Sequence, residues 1–372
     1  MHKVSFVHGI CVERDAISNA IQSEIRWLQE SGLYDVAFFT NHTDFESLRV
    51  RKVSGPGEVA FDDHFQASDL VVFHFGIYYP LFNLLPVVPI AAKSVVVFHN
   101  VTPREFAPEG HRSGIELSFR QMSNIAFADH VVCDSGTNLE VLRAALIDTP
   151  ATVLPLAVDV VRDIPTRKPS MADGVVRVAF VGRLVRSKGP TELLEAIRNV
   201  LEDDSSFRIR VDLVGNLAFS DGEVVSEIRD RAENINKEFD GRGRVELHGD
   251  ASETEKWRLL GEADIFVLPT HHEGFCVPIV EALVSGCRVI AYDNSNVTSI
   301  SGGLGTLVLT GDVRALSDAI ARTVGDVSSA AWVSDGGYGT YANHAWTYAQ
   351  QFSPHVVKQR FLEFLERQLT SA

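Results

Sequence analysis

Residues 176–190 read Val176-Arg177-Val178-Ala179-Phe180-Val181-Gly182-Arg183-Leu184-Val185-Arg186-Ser187-Lys188-Gly189-Pro190. Five of the first six are apolar and three are β-branched, enough for a strand buried on both faces. Gly182 would let the backbone turn sharply after that strand. Pro190 fits the first turn of a helix, which the pattern carries to Leu201. Strand, short loop and helix make one βα unit of a parallel sheet. The same alternation runs outward in both directions. Strands are expected at Lys3–His8, Val36–Thr40, Leu70–Phe75, Ser94–His99, His130–Cys133 and Thr152–Leu154, then at Val176–Val181, Arg208–Val214, Val245–His248, Ile265–Leu268, Arg288–Ala291 and Thr306–Leu309. Helical patterns lie between them, such as Ala16–Gln29, Thr137–Leu146, Val224–Glu238, Glu253–Leu260, Ile279–Val284 and Val313–Val324.

Two such series in 372 residues predict two doubly wound α/β domains. The segment Asp159–Asp173, with Pro165, Pro169 and several charges, is the expected linker. Pro354–Leu369 reads as an amphipathic helix with Val357, Phe361, Phe364 and Leu365 inward.

Composition narrows the function. Hydrophobic residues are 45% and charged residues 22%, which excludes a disordered chain. The chain has 34 basic and 49 acidic residues, a net charge of −15, so it is a poor electrostatic binder of nucleic acid or anionic lipid. The cluster Arg49, Arg51 and Lys52 is a local exception, read as a solvated loop. No apolar run reaches the roughly 18 residues of a membrane span, and the N-terminus shows no secretory pattern. The four cysteines are widely spaced, which argues against a zinc site or disulfide framework and fits a reducing cytoplasm.

In open parallel sheets, ligands sit beyond the carboxyl ends of the strands, so chemistry is sought just after them. Arg183 and Lys188 bracket the loop after the Val176–Val181 strand. A guanidinium and an ammonium placed there could hold one diphosphate, a reading favoured over a solvated basic turn. The segment Glu273-Gly274-Phe275-Cys276-Val277-Pro278-Ile279-Val280-Glu281 follows the Ile265–Leu268 strand. Glu273 falls in its loop and Glu281 about one turn into a helix opened by Pro278. Carboxylates accept well from paired sugar hydroxyls. The N–H groups of Gly274, Phe275, Cys276 and Val277 would face a ligand from the helix start. His74 and His99 stand at the ends of consecutive strands, where a structural and a functional role are equally open.

The first loop, from His8-Gly9 to Ala20, has a single glycine where a dinucleotide fold shows Gly-x-Gly-x-x-Gly, which counts against a nicotinamide or flavin enzyme. A Walker A lysine motif is also missing, and no two aspartates lie at i and i+2 to clamp a metal. A diphosphate leaving group would then be neutralised by side-chain cations and helix starts.

The segments Gly182–Gly189 and Glu273–Ala282 resemble the two most specific motifs of glycosyltransferase family 4, retaining enzymes of the GT-B fold. Val245–Gly249 and Val97–Pro103 are similar more weakly, the latter to a bacterial polysaccharide-biosynthesis type. The resemblance implies two facing Rossmann-like, doubly wound parallel-sheet domains with a deep interdomain cleft. Residues 1–160 would recognise the acceptor, with helix 353–372 packing back on them, and residues 172–350 would bind the nucleotide sugar. Carried over by position, Arg183 and Lys188 hold the donor diphosphate and Glu281 the ribose. Glu273 holds the donor sugar, with backbone N–H groups of Gly274, Phe275, Cys276 and Val277 beside it. Gly182 forms the phosphate loop, and His248 and Gly249 lie near the base. His99 stands beside the transferred sugar, and Gly9 approaches the diphosphate.

The implied function is metal-independent, cofactor-free transfer of a hexosyl group, with retention, from a UDP- or GDP-sugar to a hydroxyl of a glycan or lipid-linked saccharide. Alternatives are a sugar-nucleotide epimerase or phosphorylase of the same architecture, or a non-catalytic sugar-nucleotide-binding protein. The expected location is cytoplasmic. Weak peripheral membrane contact would come through the Arg49–Lys52 patch or the apolar Ile77–Leu85 stretch.

Overall fold

The structure is a computed structural model, which describes residues 1–13, 15–107, 110, 112–160 and 165–370. The chain divides into two compact units. The first is Met1–Ala157 with the helix Pro354–Thr370, and the second is Val158–Ser353.

The first unit has β1 (His2–Val7), β2 (Ile10–Cys11), β3 (Tyr34–Thr40), β4 (His42–Thr43), β5 (Val50–Lys52), β6 (Leu70–Phe75), β7 (Lys93–Phe98), β8 (His130–Cys133) and β9 (Ala151–Val153). Seven of these form one parallel sheet in the order β5-β3-β1-β6-β7-β8-β9, while β2 pairs with β4. The second unit has β10 (Val176–Val181), β11 (Ile209–Gly215), β12 (Gly243–Gly249), β13 (Ile265–Leu268), β14 (Arg288–Tyr292) and β15 (Gly305–Val308). Its sheet runs β12-β11-β10-β13-β14-β15, every pair parallel. In each sheet the strand order reverses beside the first strand, between β1 and β6 and between β10 and β13. Such a switch point opens a crevice at the carboxyl edge, where ligands bind.

Helices cover both faces of each sheet, so the central strands are mostly apolar. All six residues of β6 are buried, including His74. The helix Ala16–Ser31 starts where Asp15 accepts the Ser18 N–H and ends at Gly32, whose φ of 68° suits glycine. Its apolar face meets Val4, Phe6, Val72 and Val97. Pro354–Thr370 packs into that same core: Phe361 lies 6.0 Å from the Trp27 ring, and Phe364 and Leu365 are buried beside it. Each such side chain contributes about 1.5–3 kcal/mol.

Several expectations are corrected. Arg51 and Lys52 belong to the edge strand β5, not a loop. The Arg51 guanidinium pairs with Asp62 and lies 5.5 Å from the Phe39 ring centre. Much of the Ile77–Leu85 stretch is interior: Leu81, Phe82, Leu84 and Leu85 are core residues of a 3-10 helix, Pro80–Val87, while Ile77 and Tyr78 are exposed. The expected linker is largely part of the second unit; its residues 161–164 lie outside the described ones. The Val158 N–H donates to Phe352 O at 2.8 Å, and Pro165 O accepts from the Tyr338 hydroxyl at 2.7 Å. Glycines hide the helix Gly337–Ala349 from a reading of periodicity, and it forms because Tyr338, Ala342, Ala345 and Ala349 bury one face. Among the described residues, no helix is long and apolar enough to cross a membrane.

Lys168 shows how the second unit is fastened. Its side chain is almost fully buried, and its ammonium donates to Gly261 O at 2.9 Å and Ser285 O at 2.6 Å. These carbonyls lie at the ends of the helices Glu253–Glu262 and Val277–Val284, where backbone acceptors lack helical partners. Burial pulls the Lys168 pKa below the usual lysine value. Lys168→Met keeps the stem and removes the donors. It should lower the unfolding free energy by about 2–4 kcal/mol, read by urea unfolding of the full chain. An unchanged midpoint would show that those carbonyls are satisfied without it.

Candidate active site

Two loops line the switch point of the second sheet, one after β10 and one after β13. They touch through backbone. Gly189 has φ of 67°, and a Cβ there would stand 2.2 Å from Pro269 O. Only glycine fits both the left-handed geometry and the space. The His271 N–H then donates to Ser187 O at 2.8 Å, which zips the loops together. Gly182 does not need its freedom: its φ is ordinary and an added Cβ would make only normal contacts. The tight position is its neighbour Gly215, whose Cβ would lie 2.6 Å from Gly182 O.

This zipper brings Lys188 and Glu273 together. The Lys188 ammonium donates to Glu273 Oε1 at 2.6 Å and to His272 O at 3.2 Å, with both side chains mostly buried. Arg183 is exposed, and its guanidinium has no hydrogen-bond partner among the described residues. Among the described residues, Lys188 and Arg186 of this loop are therefore paired while the Arg183 guanidinium is not. A third residue of the linkage is Glu192, which accepts from the Tyr292 hydroxyl at 2.5 Å and sits 2.8 Å from His271 Nε2.

Beyond Glu273 the chain enters the helix Val277–Val284. Its N-cap is Cys276, left-handed at φ 78°, and no side chain caps the start. Such a backbone costs about 1–3 kcal/mol and is kept only where surroundings over-determine it. Phe275 provides one such constraint: its ring meets Phe352 edge-on at 5.6 Å and its carbonyl accepts from Asn296. Burial raises the Cys276 thiol pKa well above normal, so it is an inert packing group. Gly274 and Val277 are half-buried beside it.

Glu281 is buried one turn in, and Lys256 donates to it at 2.7 Å while also pairing with Glu253 at 2.8 Å. Burial alone would lower the Lys256 pKa, but the two carboxylates more than offset it and leave it raised. Sequence reading missed Lys256, because nothing in Ser252-Glu253-Thr254-Glu255-Lys256 indicates which distant acid it meets.

His248 ends β12 with Nε2 2.7 Å from Asp212 Oδ1. Gly249 is required by close packing, since a Cβ would reach Leu217 at 2.5 Å. Asp212, Glu246 and His248 place ligand-type atoms within 4.8 Å of one another. The Arg210 guanidinium already bridges the two carboxylates at 2.9 and 3.0 Å, supplying the positive charge of that cluster.

In the first unit, Gly9 makes room for Tyr79, whose Cβ lies 2.7 Å from where a Gly9 Cβ would be. His99 is buried with both ring nitrogens engaged: Nδ1 is 2.6 Å from Asp134 Oδ2 and Nε2 is 2.9 Å from His74 Nδ1. A sugar hydroxyl could reach its nitrogen only by displacing one of these partners.

With this geometry described, the comparisons are informative. Residues 165–334 match the family model for glycosyl transferases group 1. Over its whole length the chain is similar to a sucrose-phosphate synthase from Thermosynechococcus elongatus, with a TM-score of 0.77, 17% identity and 100% of both chains covered. The fold is GT-B. A D-inositol 3-phosphate glycosyltransferase of Corynebacterium aurimucosum is 28% identical over 151 residues, 40% of this chain and 35% of that protein. A putative teichuronic acid biosynthesis glycosyltransferase of Bacillus subtilis is 30% identical over 144 residues, 38% of this chain and 31% of that one. The chain thus spans about a third of the length of these curated relatives. The group 1 match falls wholly within the unit that carries Arg183, Lys188, Glu273 and Glu281.

The GT-B first unit yields a pH test. His8 is buried, with Nδ1 3.1 Å from His74 O, and its pKa is pushed from 6.5 down to about 3, first by burial and then by His74. An unfolded chain binds a proton there near pH 6.5 and the folded chain does not. This contribution to stability is full above pH 6.5 and is lost as pH falls toward 3. His8→Asn keeps a donor for His74 O and should remove about 1.4 kcal/mol per pH unit from the slope of stability in that window. Equal slopes in urea titrations of the two proteins would refute a neutral, buried His8.

Proposed function

We propose that the protein is a retaining glycosyltransferase that moves a hexosyl group from a UDP- or GDP-sugar to a hydroxyl of a glycan or lipid-linked saccharide. The observation that carries the reading is the Lys188–Glu273 ion pair, 2.6 Å long, joining the two loops of the second switch point. Free Arg183 and paired Lys188 suit the two phosphates of a donor, one as a fork and one as a point charge. An arriving pyrophosphate competes for Lys188 and releases the Glu273 carboxylate to accept from sugar hydroxyls. Glu281, fixed by Lys256, presents its remaining acceptor capacity to the ribose. His248 and Gly249 stand on the base side, with Gly182 under the phosphates and the N–H groups from Gly274 to Val277 at the sugar. The first unit is read as the acceptor-recognising half, to which Gly9 and His99 contribute.

In the reaction the bond from the anomeric carbon to the phosphate oxygen breaks, and its electron pair leaves on the diphosphate. Arg183 and Lys188 stabilise that charge as it develops. The acceptor oxygen adds to the same face, and its proton passes to the departing phosphate oxygen. Retention and this same-face course follow the family resemblance. Fixed cations supply the charge neutralisation, so activity should persist in chelator. The protein is read as acting in the cytoplasm, with contact at the inner membrane face set by the acceptor.

Two variants test this. A UDP- or GDP-sugar at 100 times its Kd should stabilise the protein by about 2.7 kcal/mol in a thermal-shift assay. Arg183→Ala should abolish most of that shift and leave the ligand-free Tm unchanged, because the guanidinium has no protein partner among the described residues. Lys188→Ala should lower turnover about 10- to 100-fold. Full activity in Lys188→Ala, or an intact ligand shift in Arg183→Ala, would remove the phosphate assignment.

A further inference from the structure

The carboxyl edge of the first sheet holds a line of ionisable groups that the donor chemistry leaves unexplained. Glu24 Oε2 is 3.0 Å from His74 Nε2, His74 Nδ1 is 2.9 Å from His99 Nε2, and His99 Nδ1 is 2.6 Å from Asp134 Oδ2. Every side chain in the line is at least nine-tenths buried. Glu24 comes from the helix Ala16–Ser31, His74 from β6, His99 from just after β7 and Asp134 from just after β8. The register makes this arrangement. His74 pairs with Val97 and Phe98 with Cys133, so His74, His99 and Asp134 stand side by side on one face of three adjacent strands. Glu24 reaches them from the helix covering that face.

We infer that Glu24, His74, His99 and Asp134 form a buried proton relay, in which Glu24 and His74 are positioning residues that set the charge on His99.

Counting protons carries the argument. Three hydrogen bonds join four groups, and each needs one proton. In one arrangement Glu24 is a carboxylic acid donating to His74 Nε2. His74 Nδ1–H donates to His99 Nε2, and His99 Nδ1–H donates to the Asp134 carboxylate. In the other, the Glu24 proton has moved to His74 Nε2 and the His74 Nδ1 proton to His99 Nε2. Glu24 is then a carboxylate, His74 is neutral and His99 is an imidazolium still bonded to Asp134. The same three protons serve both arrangements, and the net charge is −1 in each. Two hops therefore charge or discharge His99 without a proton from water. Burial pushes Glu24 up to about 8, which keeps a proton on it at neutral pH. Burial would lower His99, but Asp134 outweighs it and leaves the ring raised, ready to accept. His74 is held neutral by burial and by the charge of His99.

The surrounding groups fix the relay rather than join it. The Tyr79 hydroxyl donates to His74 O at 2.8 Å, and His8 meets the same carbonyl at 3.1 Å. Asp15, engaged as the cap of the helix that bears Glu24, is the remaining nearby carboxylate acting on His99. This inference rests on the proposed transfer only for its purpose. An imidazolium suits an incoming phosphate, and a neutral ring beside Asp134 suits a sugar centre gaining positive charge.

The test is made on the ligand-free full chain, so it is independent of transfer. Histidine ring nitrogens and glutamate carboxyl carbons are labelled and followed by NMR from about pH 5 to 9. In the wild type the Glu24 carboxyl and the His99 ring should move at one common midpoint, as coupled sites do. Glu24→Gln should displace the His99 midpoint by at least about one pH unit. His74→Gln, melting cooperatively, should separate the Glu24 and His99 transitions. Independent transitions in the wild type, or an unmoved His99 midpoint in Glu24→Gln, would overturn the relay. Where a transfer assay succeeds, Glu24→Gln should also shift the pH profile of kcat with little change in KM. Loss of transfer in wild type with the common midpoint intact would reject the enzyme reading alone.

Discussion

The backbone of Gly189 lies against Pro269, and the chemistry of the second unit depends on that approach. A parallel sheet with helices on both faces leaves its interior to apolar side chains. Charges inside the strands, such as Asp212 of β11, are few and paired, and the loops at the strand ends carry the rest. At the switch point the loops after β10 and β13 would otherwise diverge, each with its own helix. The missing side chain at residue 189 lets them meet, with His271 bonded to Ser187 and Lys188 set on Glu273. A guanidinium in solvent and an ammonium in a mostly buried pair then stand at the same crevice edge. This is a preorganised arrangement: the site holds its positive charge in place before any ligand arrives.

Several buried charges elsewhere among the described residues follow one rule, which is that each is matched by polar or charged partners. Lys168 is wrapped by backbone carbonyls, Glu281 by Lys256, and Asp212 by Arg210 and His248. Removing a partner from such a pair costs more than the pair itself contributes, so these groups constrain each other's position tightly. The first unit uses a different device. Its strand-end histidines and acids, with Glu24, are bonded to one another rather than to a lysine or arginine.

Much of the fold was legible because its signal is local. Leu70–Phe75, His130–Cys133, Val176–Val181 and Ile265–Leu268 are predominantly apolar runs, and each is a strand with those same limits. Helices with a proline or an aspartate at the start were similarly readable, Pro190–Asp203 among them. What escaped depends on tertiary partners. Val50–Lys52 is a strand only because β3 offers an edge, and Gly337–Ala349 is a helix only because alanines and Tyr338 find a surface. In the site, Arg183, Lys188, Glu273 and Glu281 could be picked out by position after strands. That Lys188 meets Glu273, or Lys256 meets Glu281, could not, since each pair spans many residues. Glu24 and Asp134 carried no sequence signal, because a helix-face acid and a strand-end acid are common; their meaning comes from the histidines between them.

The last helix, Pro354–Thr370, is a core element of the unit that the chain began. During synthesis the ribosome delivers Trp27, Leu28 and their strand partners long before Phe361 and Phe364. The early half must wait with an open apolar seam while the intervening half is made. The histidine-bearing sheet therefore covers this apolar seam only once the segment through Thr370 has been made, and its integrity depends on that helix.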